Sequence, residues 1–194
     1  TVGRNIAGDE TVFTVSGGTF THNSGSIKFI SGEGSNVRTY TINVVTSLTL
    51  YNVEWATTDS QSNDILSTAA GDTIIAAGNF THTNGVLQGT WEVQGSVTIA
   101  TTADGGTGTL TFTGSNAQTY TDQGGNEPDG DITINKTSGT VTLASNADWN
   151  ATNQDLTITS GTLSSATYNI TTTNFTVNGG TFTGGSGTVT TSGP

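Results

Sequence analysis

Four carboxylates, Asp122, Glu127, Asp129 and Asp131, crowd into one short stretch of this chain, with Asn126 among them. Hard oxygen donors at that density are what Ca²⁺ selects. The spacing is neither that of an EF-hand loop nor the nonapeptide of calcium-binding β-rolls. The competing reading is a solvated acidic loop, inserted into the repeat and projecting from the fold. His22 and His82 each follow Phe-Thr. With no cysteine and no third histidine they are too few to hold zinc, and both read as surface residues on a similar face, three coils apart. No Ser-His-Asp arrangement stands out. A polysaccharide lyase needs Arg or Lys beside a uronate, and this chain has four basic residues in all. A hydrolase needs two carboxylates at a fixed separation; Asp129 and Asp131 are the nearest pair, and they sit in the acidic stretch itself. The chain reads as a non-enzyme.

The net charge of −11 rests on 15 acidic and 4 basic residues, Arg4, Lys28, Arg38 and Lys136, which are scattered. Nucleic-acid binding needs clustered cations that displace counterions, so it is not expected. No apolar run approaches the roughly 18 residues of a membrane helix, and membrane insertion is not expected either. Nothing resembles a signal segment or an initiator Met, and the chain reads as a mature protein or an excised segment of a longer one.

Any such residues must be positioned by short strands. Tyr40–Val44, Leu48–Leu50, Ile132–Ile134, Val141–Leu143, Leu156–Ile158 and Phe175–Val177 alternate apolar and polar residues, with Gly, Asn, Ser and Asp between the runs. Period-two alternation of that length is the mark of strands and turns, and no stretch keeps a helical period. Disorder is excluded by the β-branched and aromatic content and the low charge. The 31% apolar content is low for a globule but suits a narrow coil with a wet outer face. Threonines suit the pleat and are expected to hydrogen-bond across the ladder. Trp55, Trp91 and Trp149 are expected in the core.

The tripeptide Gly-Thr-apolar returns at Gly89, Gly108, Gly139, Gly161 and Gly180, in steps of 19, 31, 22 and 19 residues. Without about ten residues of the acidic stretch the long step would join the others, giving a period near 20. An octapeptide beginning Phe-Thr recurs at Phe13, Phe80 and Phe175. It suggests longer internal repeats, near 13–79, 80–174 and a partial 175–194, and a chain that closes on the phase at which it opened. Thr-x-Thr rows on a flat coil face could order water and bind ice. The pairs at Thr19 and Thr39 stand one coil apart, but those at Thr111, Thr119, Thr157, Thr171 and Thr188 break step, so strand propensity accounts for them.

The strings Gly108–Phe112, Gln118–Tyr120, Asp131–Leu143, Leu156–Leu163 and Asn174–Phe182 resemble the tandem β-solenoid repeats of large secreted prokaryotic surface proteins, of the adhesin, autotransporter-passenger and filamentous-haemagglutinin-like kind. The likeness is clearest over residues 108–189 and 11–44. It implies an extracellular or cell-surface location and a stalk, fibre or adhesive role.

The expected fold is all-β, a single domain over residues 1–194, built as a right-handed parallel β-helix or β-solenoid of about nine coils of about 20 residues. Uncapped end coils expose strand edges that template pairing with another copy. Head-to-tail contact of that kind does not close and builds a filament. The residues expected at the self-docking ends are Phe13, Phe20 and Ile27 at one and Phe175, Phe182 and Val189 at the other. The alternative is a glycan-binding or adhesive module that uses Trp55 or Trp149 beside the acidic stretch, and a polysaccharide-degrading β-helix stands third.

Overall fold

Strand follows strand in the computed structural model, and every paired strand runs parallel to its neighbours. The model describes residues 2, 8–31, 36–57 and 63–193; Arg4 lies outside them. Among the described residues there are nineteen strands and no helix. Parallel neighbours need a crossover, and here the crossover is the rest of a coil: the chain visits three faces in turn and returns one strand higher.

Face 1 stacks β2 (Ser26–Ile30), β5 (Asn52–Ala56), the start of β8 (Phe80–Gln88), β10 (Val97–Ala103), β12 (Gln118–Asp122), the ends of β13 (Ile132–Leu143) and β15 (Asp155–Ser164), and β18 (Thr181–Thr183). Face 2 begins with β1 (Glu10–Val15), β3 (Thr39–Val44), β6 (Ile65–Thr68) and the end of β8. It continues through the end of β10 and a single bridge between Asp104 and Asn126, and finishes with β14 (Ala147–Trp149), β16 (Ile170–Thr172) and β19 (Val189–Thr191). Face 3 holds β4 (Ser47–Leu50), β7 (Thr73–Ala76), β9 (Thr90–Val93), β11 (Thr109–Phe112), the starts of β13 and β15, and β17 (Asn174–Val177).

The solenoid therefore has about seven turns about 23 residues apart, against the nine of about 20 expected. The difference lies in the corners. Phe29, Trp55, His82 and Ile99 stand in register on face 1 at steps of 26, 27 and 17 residues. A strand's length is fixed by its face, whereas a corner absorbs extra residues.

Face assignment also corrects the repeat. Gly89 and Gly108 lead into face 3, whereas Gly139, Gly161 and Gly180 lead into face 1. The step of 31 is one turn plus one corner, and Leu110 pairs with Ile132 only 22 residues on, with no inserted loop. The octapeptides at Phe80, Phe13 and Phe175 begin on faces 1, 2 and 3 respectively. Their likeness is that of a corner, and the chain does not open and close on one phase. Gly139 and Gly161 show what the corner requires. Each has φ of 78°, and a Cβ on either would approach a backbone or side-chain atom of the turn below within 2.7 Å. Only glycine takes that conformation freely.

Inward residues form one continuous core. On face 3 the rows Leu48-Ile74-Trp91-Leu110-Ile132-Leu156-Phe175 and Leu50-Ala76-Val93-Phe112-Ile134-Ile158-Val177 run the length of the coil. Trp55, Trp91 and Trp149 are all at 0% exposure, as expected of core residues.

Polar ladders hold the corners. Asn79 N–H donates to Asn52 Oδ1 (2.9 Å), Ser96 N–H to Asn79 Oδ1 (3.0 Å) and Thr119 N–H to Ser96 Oγ (3.1 Å) at the entry to face 1. Asn146, Asn169 and Thr188 repeat the pattern into face 2 and Asp131 and Asp155 into face 3, where Asn174 Nδ2 donates to Asp155 Oδ1 side chain to side chain. Short amide, hydroxyl and carboxylate side chains satisfy backbone donors that a corner takes out of the sheet.

Candidate functional site

The acidic stretch does not project. Residues 122–131 form the face 2 crossing of their own turn. Asn126 bridges to Asp104, Asn126 N–H donates to Ala103 O (2.9 Å), and Glu127 and Pro128 are buried. Asp122, Glu127 and Asp129 line a depression of about 400 Å³ together with Asp104 and Asp148. Asp131 stands apart, on the corner into face 3, where its Oδ1 accepts Asp155 N–H at 2.9 Å.

Glu127 is the centre of this region. It is 9% exposed. Its Oε2 accepts the Tyr120 hydroxyl at 2.6 Å, and its Oε1 accepts Asp148 N–H at 2.9 Å from the next turn. Burial pushes its carboxyl up to about 7, aided by nearby Asp122 and Asp148 and opposed by the two hydrogen bonds. The same burial, with Glu127 beside it, raises the Tyr120 hydroxyl well above its ordinary value. Tyr120 in turn meets Trp149 edge to face, with ring centroids 5.1 Å apart. Asp122 Oδ1 is turned onto Gly124 N–H (2.9 Å) and Gly125 N–H (3.1 Å). Both Glu127 oxygens and one of Asp122 thus close the corner and clip one turn to the next. Among the described residues no three carboxylate or histidine groups converge at metal-holding distance.

Buried polar residues lie elsewhere too. His22 is exposed, with its Nδ1 accepting Ser24 N–H (3.0 Å) and its ring stacked on Tyr51. His82, expected on the surface three coils away, is instead at 0% exposure and two turns along, between Trp55 and Ile99. Its Nε2 lies 2.6 Å from Gly85 O, and burial lowers its pKa to about 4 against the effect of that bond.

Two buried glutamines do one job at two corners. Gln118 Nε2 donates to Val93 O (2.8 Å) and Gly95 O (2.7 Å), and Gln154 Nε2 to Pro128 O (2.7 Å) and Gly130 O (2.8 Å). Lys136, 1% exposed, donates to Gln118 Oε1 and to Thr113 O (3.2 Å), and burial lowers its pKa. Period two flags these residues. Phe80-Thr81-His82, Gln118-Thr119-Tyr120, Ile134-Asn135-Lys136 and Gln154-Asp155-Leu156 all place the polar residue in phase with an inward apolar one.

The expected docking residues occupy the two ends. Phe13 packs edge to face on Phe20 (6.0 Å) and on Phe29 (5.9 Å), and Phe175 packs edge to face on Phe182 (5.1 Å). Phe13, Ile27, Phe175, Phe182 and Val189 are only partly buried, and Phe20 is 36% exposed. The aromatic platform of the glycan reading is absent. Trp55 and Trp149 are inside because inward positions at wide parts of the coil need their volume, so neither can stack on a sugar.

No protein-family model, curated protein or solved structure matches this chain.

Proposed function

We propose that this chain is a structural element of an extracellular fibre or cell-surface stalk, joined head to tail through its end coils. The observation that carries this reading is the one-sided pairing of the terminal strands among the described residues. Among the described residues β17, β18 and β19 at one end and β1 and β4 at the other pair on a single side. Phe13, Leu48, Phe175, Phe182 and Val189 on these strands are half sealed, whereas the inward apolar side chains of the middle turns are fully sealed. An unpaired parallel edge over exposed apolar side chains is completed by another coil. The contact is heterologous, so it propagates instead of closing. The acidic surface supports solubility of the sides while the ends associate.

Light scattering tests this across a concentration series. Growth that rises with concentration, and that Val189→Glu or Phe13→Asp abolishes while the circular dichroism spectrum stays β-rich, agrees with the proposal. A monodisperse monomer at all concentrations contradicts it.

A further inference from the structure

The threonines that break step along the sequence fall into register in space. On the outside of face 1, Thr140, Thr162 and Thr181 are direct neighbours in three successive turns. Beside them runs a second row, Thr119, Thr142, Ser164 and Thr183, and a third, Thr81, Thr98 and Thr121, extends down the preceding turns. Neighbours within a row are about 4.8 Å apart and rows on alternate residues about 6.6 Å apart.

Face 3 carries a comparable row, Thr111, Thr133, Thr157 and Thr176, and two further observations bear on face 1. Thr119 bonds to Ser96 (3.0 Å), but the hydroxyls of Thr81, Thr98, Thr121, Thr140, Thr142, Thr162, Thr181 and Thr183 donate to no protein group, contrary to the expected cross-ladder bonding. They are turned to solvent with their lone pairs and protons free. Charge also avoids the array. From Asn79 to Thr183 its outward positions carry no ionisable group, whereas the equivalent rows of face 3 include Glu92 and Asp155. The first two turns of the same face carry the Lys28–Glu54 ion pair, with Glu54 in register with Thr81, so in a chain of net charge −11 the uncharged part of this face runs from Asn79 to Thr183.

We propose that the outer side of face 1 binds ice. A neutral array with two-dimensional period offers nothing to a polyanion or a cation. It lacks the exposed aromatic that a sugar ring stacks on. It does suit a solid whose hydrogen-bonding positions repeat at similar distances in two directions. The β-branched side chains are stiff at χ1 and stand on a sheet whose backbone groups are already paired, so waters meet a preorganised lattice of methyls and hydroxyls. Each held water costs little, and many such contacts act together.

The test is thermal hysteresis and recrystallisation inhibition by the whole chain, with uptake into a slowly growing ice front. The wild type is expected to enter ice and slow its growth. Thr142→Lys with Thr162→Lys should lose both effects, while Thr133→Lys with Thr157→Lys on face 3 retains them. If the lysine variants fail to fold, Thr142→Asn with Thr162→Asn serves in their place. The proposal is overturned if the wild type does not differ from an inert acidic protein of equal mass. Equal sensitivity of the two faces, or retention on crystalline cellulose without any effect on ice, overturns it as well.

Discussion

The middle turns and the end turns of this solenoid use the same side chains in the same alternation, yet one set is sealed and the other is not. Trp91, Phe112 and Tyr120 stand between turns on both sides and are at 0% exposure. Phe13, Phe175, Phe182 and Val189 occupy the corresponding inward positions with a turn on one side only, and remain partly exposed. What buries a residue in a solenoid is its neighbour along the axis, because a single coil is too thin to bury its own apolar face. The terminal strands therefore carry the same chemistry as the core with one neighbouring turn in place of two.

The largest effect expected is in the middle. Trp91→Ala, which removes a ring packed 5.4 Å from Phe80, should destabilise the chain by about 3–5 kcal/mol. Chemical denaturation measures it. An effect under about 1 kcal/mol would mean that the middle turns are loosely packed after all.

Two buried titrating groups, both in the middle, should show opposite pH dependence. Glu127 is raised from 4.5 to about 7, so its contribution is complete below pH 4.5 and lost as the pH rises through about 7. His82 is lowered from 6.5 to about 4, so its contribution is complete above pH 6.5 and lost as the pH falls through about 4. Each is worth on the order of 3 kcal/mol, and between about pH 4.5 and 6.5 they offset one another. The wild type is then expected to have nearly level stability across that window. Glu127→Gln should make stability rise with pH there, and His82→Asn should make it fall. Parallel pH profiles for all three proteins would break the assignment.

Gln118→Ala should cost about 1–3 kcal/mol by removing the side-chain donor from Gly95 O and one of the hydrogen bonds made by Val93 O and by the Lys136 amine. Lys136→Met should be neutral or stabilising, since an apolar group of similar volume replaces a buried amine whose partners, Gln118 Oε1 and Thr113 O, carry no charge. The smallest effect is expected at the ends. Phe182→Ala should lower monomer stability by under about 1.5 kcal/mol, since only part of the ring is removed from water, while reducing assembly strongly. Phe182→Ala as damaging as Trp91→Ala would erase the distinction between middle and end.

Much of this fold is legible in the sequence because a strand writes its inward and outward sides as strict alternation. The parity that predicts Tyr40, Ile134 and Leu156 inside also carries His82, Gln118 and Lys136 inside, although those polar residues read by type as surface groups. What alternation does not encode is which of three faces a strand joins. Corners vary freely in length, so Gly108 and Gly139 look like successive members of one series when they lie on different faces. The same ambiguity turns registered threonine rows into scattered pairs and a buried crossing, Asp122 to Asp131, into an apparent insertion. Glu127 lies outside any strand, so parity is silent there. Its burial follows from Tyr120 and Asp148, contacts between turns that no local pattern records.

Electron microscopy of the purified chain at high concentration tests the central claim most directly. Filaments with an axial repeat near one subunit, roughly 35 Å for about seven turns spaced about 4.8 Å apart, are the expected result. Discrete short rods that persist at every concentration would contradict it, because ends left in that state would not be completing one another.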